Sequence, residues 1–192
     1  MSTKLYRPLL YYLREWAPLE HPQFLERCRF PLLLWPQREG LLQETSIQFE
    51  TYSGELSGED PFCHSEDTES SEKEILVIEV KKRSPNAPEH MVCVGRAGNN
   101  DIVFANDTVS KLHAYFLTEG SESAYEIVDA NSTNGTRVGN KRLEPYQGEV
   151  LDNGDQIHFG PLIKVTYLTP AGFYQFLQEL LHKNAQQRPS SG

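Results

Sequence analysis

Between residues 75 and 168 the chain reads as short apolar runs cut by Gly, Asn, Asp and Pro. Residues 75–80 are rich in β-branched side chains. Further runs follow at 91–94, 101–104, 112–117, 125–128, 136–138, 156–159 and 163–168. Runs of about three to seven residues bounded by turn formers predict an antiparallel all-β sandwich. No helical stretch alternates with them, so a parallel βαβ sheet is not expected. Asp152-Asn153-Gly154-Asp155 has the composition of a turn between two strands.

The flanks follow another period. Leu9, Tyr12, Leu13 and Trp16 recur at helical spacing over residues 7–17, with Pro8 tolerable in a first turn. A second short helix over 22–27 would carry Phe24, Leu25 and Cys28 on one side. Leu32-Leu33-Leu34-Trp35, bracketed by Pro31 and Pro36, is too short for a helix. It needs a partner surface, supplied by the rest of the chain or by another protein. Residues 1–43 are therefore expected to form a helical N-terminal extension. At the other end Thr169 suits an N-cap and Pro170 a first helical position. Phe173, Phe176, Leu177, Leu180 and Leu181 then make an apolar stripe suited to covering the sandwich. The unit expected over 75–168 is thus followed by a C-terminal helix and tail over 169–192.

Charge sharpens the division. The formal net charge is −9, and residues 44–74 alone carry ten acidic groups against one lysine. The run Ser65-Glu66-Asp67-Thr68-Glu69-Ser70-Ser71-Glu72 cannot bury its charges, so 44–74 reads as an acidic flexible linker. Ile47, Phe49 and Tyr52 alternate as a strand would at its start. No segment offers the basic face that duplex binding requires, and no apolar run approaches bilayer length, so neither nucleic acid nor membrane is an expected partner. Cys28, Cys63 and Cys93 are odd in number and widely spaced. They form neither a zinc pattern nor a disulfide framework, and Cys63-His64 supplies too few ligands for a metal. No cofactor is implied. A reduced, cytoplasmic protein is the expectation.

The chemistry concentrates in polar pieces between the strands. Asn131-Ser132-Thr133-Asn134-Gly135-Thr136 would make a tight turn whose side chains brace backbone or donate outward; Asn134-Gly135 also suits a hairpin turn. Gly95-Arg96 and Ser110-Lys111-Leu112-His113 could converge with it on a doubly charged oxyanion. A phosphate carries about −1.5 to −2 charges near neutral pH, with three strong acceptor oxygens. Arg96 offers a planar fork for two of them, while Ser110 and Thr133 could serve the third. Lys111 adds a point charge, and Asn134 could pair with a peptide bond. Arg96 could instead pair with Asp101 or Asp129. His113 suits a buried hydrogen-bonding role, since no nucleophile pattern accompanies it. There is no P-loop, nucleophile elbow or kinase signature, and an enzyme is not expected.

These pieces resemble the forkhead-associated, or FHA, domain. The likeness runs through Val94-Gly95-Arg96, Asn100-Asp101-Ile102, the 109–114 stretch Val-Ser-Lys-Leu-His-Ala, Ile127-Val128-Asp129, the 132–138 stretch Ser-Thr-Asn-Gly-Thr-Arg-Val, and the 151–160 stretch ending Gln156-Ile157-His158-Phe159-Gly160. The resemblance implies a sandwich of about eleven strands that binds phosphothreonine peptides through loops at one end. It implies contacts from Arg96, Ser110, Lys111, Thr133 and Asn134, with Gly95, His113 and Gly135 shaping the loops. Its partners would be a Thr-phosphorylated protein or peptide and the Ser/Thr kinase that made it. Gly139 stands where many members have an asparagine. Thr68, in its acidic context, is a candidate phosphorylation site whose phosphate could occupy the chain's own loops or those of a second copy. The linker and helical extension are of a kind found in similar bacterial signalling proteins. The alternative expectation is a structural adaptor that ignores phosphate and docks through the Leu9/Trp16 helix and Leu32–Trp35.

Overall fold

A computed structural model describes residues 6–37, 75–85, 87–118 and 125–186. The acidic stretch 44–74, with Thr68, Cys63-His64 and the alternation of Ile47, Phe49 and Tyr52, lies outside the described residues.

In chain order the elements are β1 (Arg7–Pro8), α1 (Leu9–Glu15), α2 (His21–Arg27), β2 (Leu32–Pro36), β3 (Ile75–Glu79), β4 (Met91–Gly95) and β5 (Ile102–Val103). Then follow β6 (Ala114–Thr118), β7 (Tyr125–Asp129), β8 (Thr136–Val138), β9 (Lys141–Arg142), β10 (Gly148–Val150), β11 (Gln156–Phe159), β12 (Ile163–Leu168) and α3 (Pro170–Gln186). The strands form two sheets, ordered β1-β3-β2-β12-β11-β8-β9 and β10-β7-β6-β4-β5. Pairing is antiparallel except between β4 and β5.

The two-residue period explains the sandwich. Leu33, Ile78, Ile157, Phe159 and Val165 of the first sheet meet Val92, Val94, Phe116 and Ile127 of the second in one core. Leu32, Leu34, Ile75, Val77 and Leu168 point the other way. There they meet Leu9, Tyr12 and Leu13 of α1, Phe24 of α2, and Phe173, Leu177 and Leu180 of α3. Edge-to-face aromatic pairs knit this second core, with Tyr12 and Phe173 centroids 5.3 Å apart and Trp16 and Phe24 5.7 Å apart.

The expected helical extension needs correction. Its two helices form, but its apolar run is strand β2, which pairs with β3 on one side and β12 on the other. Leu32, Leu33 and Leu34 are all buried because this strand is covered on both faces; hence the run is continuous rather than alternating. Burial of each leucine contributes about 1.5–3 kcal/mol. The surfaces offered to an adaptor are therefore consumed within the chain. Arg7 and Pro8 belong to a strand rather than to the first helix, and Leu25 is exposed while Phe24 and Cys28 are buried. The C-terminal helix starts as expected: Thr169 Oγ1 accepts from Gly172 N at 3.1 Å. Among the described residues no helix is long and apolar enough to cross a membrane.

Candidate functional site

Three connections meet at one end of the sandwich: 96–101 between β4 and β5, 104–113 between β5 and β6, and 130–135 between β7 and β8. Because β7 and β8 lie in different sheets, Asn134-Gly135 is a crossover loop and not the hairpin turn its composition also suited. A two-residue hairpin turn falls instead at Gly139-Asn140, since Val138 pairs with Lys141. Gly139 has φ +56°, in the left-handed region that glycine adopts freely and asparagine tolerates. The departure from the family pattern at this position thus meets the same backbone demand.

The first two loops are stitched by backbone. Arg96 N donates to Ser110 O at 3.0 Å and Ala97 N to Lys111 O at 3.2 Å. Asn100 Nδ2 reaches Lys111 O at 2.6 Å and Ala97 O at 2.9 Å. Gly95 lies so close to Lys111 that a Cβ there would run into its carbonyl. The Arg96 side chain is exposed. Both carboxylates that could have claimed it are committed elsewhere. Asp101 accepts from Arg83 N, Ser84 N, Cys93 N and Lys82 Nζ. Burial raises its pKa, but these donors outweigh burial and hold it below the usual carboxylate range.

Asp129 organises the third loop. It accepts from Ser132 N at 2.9 Å, Ser132 Oγ at 2.7 Å and Thr136 Oγ1 at 2.6 Å. Here too burial pushes the pKa up, and the donors from Thr136 and Ser132 bring it below its ordinary value. Ser132 Oγ in turn accepts from Gly135 N at 3.0 Å, and Asn131 sits in the left-handed region at φ 60°. Behind Gly135, at φ +81°, lies the Arg142 guanidinium, which a Cβ there would have to displace.

The loops are then joined to each other. Thr133 N donates to Ser110 Oγ at 3.0 Å, and Ser110 Oγ donates to Thr133 Oγ1 at 3.3 Å. Asn134 Nδ2 donates to Thr108 O at 2.7 Å. His113 lies fully buried beneath: its Nδ1 accepts from Ser110 N at 3.1 Å and its Nε2 faces Gly135 O at 3.2 Å. Accepting at Nδ1 makes Nε2 the protonated nitrogen of a neutral ring. Burial lowers the His113 pKa, against smaller opposing contributions from Gly135 O and Asp129.

Arg96, Ser110, Thr133 and Asn134 thus share one rim with exposed Lys111, while Gly95, His113 and Gly135 lie under it. Thr108 also builds this rim, as do Asn100, Asp129, Ser132 and Arg142, and these last four were not singled out from sequence as site residues. An Asx turn was legible for Asp129, three residues before Ser132. Arg142 carries no such signal, because its contact with Gly135 arises only when β9 folds back on β8. Among the described residues no group of three His, Cys, Asp or Glu could hold a metal ion.

A family model for the FHA domain matches residues 92–160. The chain is 40% identical over 92 residues to an oxoglutarate dehydrogenase inhibitor of Corynebacterium jeikeium, covering 45% of this chain and 58% of that protein. It is 38% identical over 101 residues to the glycogen accumulation regulator GarA of Mycolicibacterium smegmatis, covering 50% and 58%. With an oxoglutarate dehydrogenase inhibitor of Corynebacterium efficiens it shares 33% identity over 121 residues, covering 60% and 80%. Among solved structures it is similar to Mycobacterium tuberculosis EmbR in complex with a low-affinity phosphopeptide: 29% identity, 43% of this chain, 20% of that one, TM-score 0.37. The chain belongs to the FHA-domain family. It spans little more than half the length of the first two relatives.

Proposed function

We propose that this chain is a non-catalytic, cytoplasmic reader of phosphothreonine peptides, acting downstream of a Ser/Thr kinase. One observation carries the reading: an exposed Arg96, with no claim on it from Asp101 or Asp129, on the same rim as Ser110, Thr133 and Asn134. The Arg96 fork would take two phosphate oxygens and the Ser110 hydroxyl a third, exchanging Thr133 Oγ1 for the ligand. Lys111 would add long-range attraction. Asn134 spends its amide N–H on Thr108 O, which leaves Oδ1 to accept a peptide N–H. Charge-assisted hydrogen bonds net about 1.5–3 kcal/mol each. Three or four of them, less the cost of ordering a peptide, give an affinity of roughly 1 μM, about −8 kcal/mol.

The unit we assign to this work is the 75–168 sandwich together with β1 and β2. Titration of a labelled phosphothreonine peptide library against the wild type and Arg96→Ala decides the matter. Wild-type binding that is abolished by phosphatase treatment of the peptide and falls at least about tenfold in Arg96→Ala is expected, one tenfold step being 1.4 kcal/mol. Equal, negligible binding by both proteins would remove the reading.

A further inference from the structure

The helices cover only half of the outer face of the seven-stranded sheet. On the other half, Arg142 pairs with Arg137, Arg137 with His158, and His158 with Lys164. Directly opposed residues share a face. Their chain neighbours Thr136, Ile157, Phe159, Ile163 and Val165 are buried on the inner side, so the row points outward across β9, β8, β11 and β12. Arg142 and Arg137, directly opposed like charges, destabilise each other, and Lys164 adds a third cation two strands from Arg137. A shallow depression of about 450 Å³ lies over the Arg137, His158 and Lys164 part of the row, lined also by Gln156, Asn140 and Asp155. Within it, His158 Nδ1 is buried with no hydrogen-bond partner among the described residues.

The complementary charge is in the same chain. Residues 38–74 hold eleven acidic side chains and two basic ones. Their points of exit and return are fixed by register, because Pro36 pairs with Ile75 across β2 and β3. Leu34 pairs with Thr166 across β2 and β12, and extending that register by two residues sets Pro36 level with Lys164. Both ends of the acidic stretch therefore open at one end of the basic row. The row spans three strand spacings, about 14 Å, well within the reach of 37 residues at about 3.3–3.6 Å each. Tethering supplies an effective concentration of about a millimolar.

We propose that the acidic part of this stretch, residues 59–74, docks in cis on the outer face of β9-β8-β11-β12. Its carboxylates lie along Arg142, Arg137, His158 and Lys164. No phosphate is involved; Arg142 also backs Gly135 of the rim, but Arg137, His158 and Lys164 are not among the residues that build it, so the contact at these three stands apart from peptide reading.

Zero-length carbodiimide coupling of the full chain, mapped by mass spectrometry on an equal mixture of light and ¹⁵N-labelled protein, tests it. The reagent activates a carboxyl and leaves as the urea when the Lys164 amine forms the amide. Lys164 should be joined to carboxyls within residues 59–74, in light–light and heavy–heavy pairs only. The product should fall at least about tenfold near 1 M salt, where the screening length is about 3 Å. It should fall likewise in Arg137→Glu, an exposed change whose fold is checked by near-UV circular dichroism. Absence of the product, or a yield indifferent to both salt and Arg137→Glu, would overturn the proposal. Light–heavy pairs would overturn it too, because the occupant would then be a second copy.

Discussion

At the scale of single residues, His113 couples the loops that carry the rim. Replacing it by alanine leaves Ser110 N–H unpaired under the site and takes one of two partners from Gly135 C=O, which keeps Gly160 N at 3.0 Å. A buried unsatisfied group costs about 1–3 kcal/mol, so His113→Ala should lower unfolding stability in urea by about that much. It should also weaken phosphopeptide binding in the same preparation. The same residue sets a pH dependence. Burial lowers its pKa from the ordinary value, so between that lowered value and about 6.5 the unfolded chain binds the proton and the fold does not. The contribution is full above pH about 6.5 and declines as pH falls toward the folded value. Burial lowers the pKa of His158 as well, with Lys164 and Arg137 acting in the same direction, and its sign is the same. Urea midpoints measured from pH 8 downward should therefore start to fall below about 6.5, and His113→Ala should flatten that limb. Asp101 and Asp129, whose donors hold them below the usual range, lose their contribution only in a more acidic window.

At the scale of elements, the decisive feature is how closely β4 passes the 110–113 loop. Gly95→Ala would press a Cβ into the Lys111 carbonyl and to within 2.8 Å of Asn100 Nδ2. Relief requires the loops to part, which loosens the bonds from Ala97 N and Asn100 Nδ2 to that same oxygen. Overpacking of this kind costs about 1–3 kcal/mol. The expected result is a moderate loss in urea unfolding, together with a larger proportional loss of phosphopeptide affinity in titration, because Arg96 and Ser110 flank the collision. A Gly95→Ala protein that binds like the wild type would show that the spacing does not matter. This closeness was legible only as a Gly-Arg pair, since nothing local to Gly95 says that Lys111, sixteen positions later, will lie against it.

At the scale of the whole molecule, residues 6–37 are structural. Strand β2 lies between β3 and β12, and Tyr6 both donates to Val103 O and accepts from Val103 N, tying the N-terminal segment to β5. Removing residues 1–37 would take out a central strand and leave Ile75, Val77, Leu168 and the apolar face of α3 uncovered. Such a chain should lose cooperative thermal unfolding and near-UV circular dichroism. A milder probe is Leu33→Ala in the central core, expected to cost about 2–5 kcal/mol.

The amino-acid sequence by itself determined most strand runs of 75–168, though not the short β9 and β10, together with the capped C-terminal helix and the composition of the rim loops. These follow from side-chain periodicity and turn chemistry, both properties of near neighbours along the chain. It also carried the polar set of Arg96, Ser110, Thr133 and Asn134 as separate pieces. Only the tertiary structure decided that residues 32–36 are a strand buried on both faces, that Asp101 and Asp129 leave Arg96 exposed, and that Arg142 backs Gly135. It alone aligned Arg142, Arg137, His158 and Lys164 in one row. Each of these depends on register between segments far apart in sequence, where burial and pairing, rather than local preference, fix what meets what.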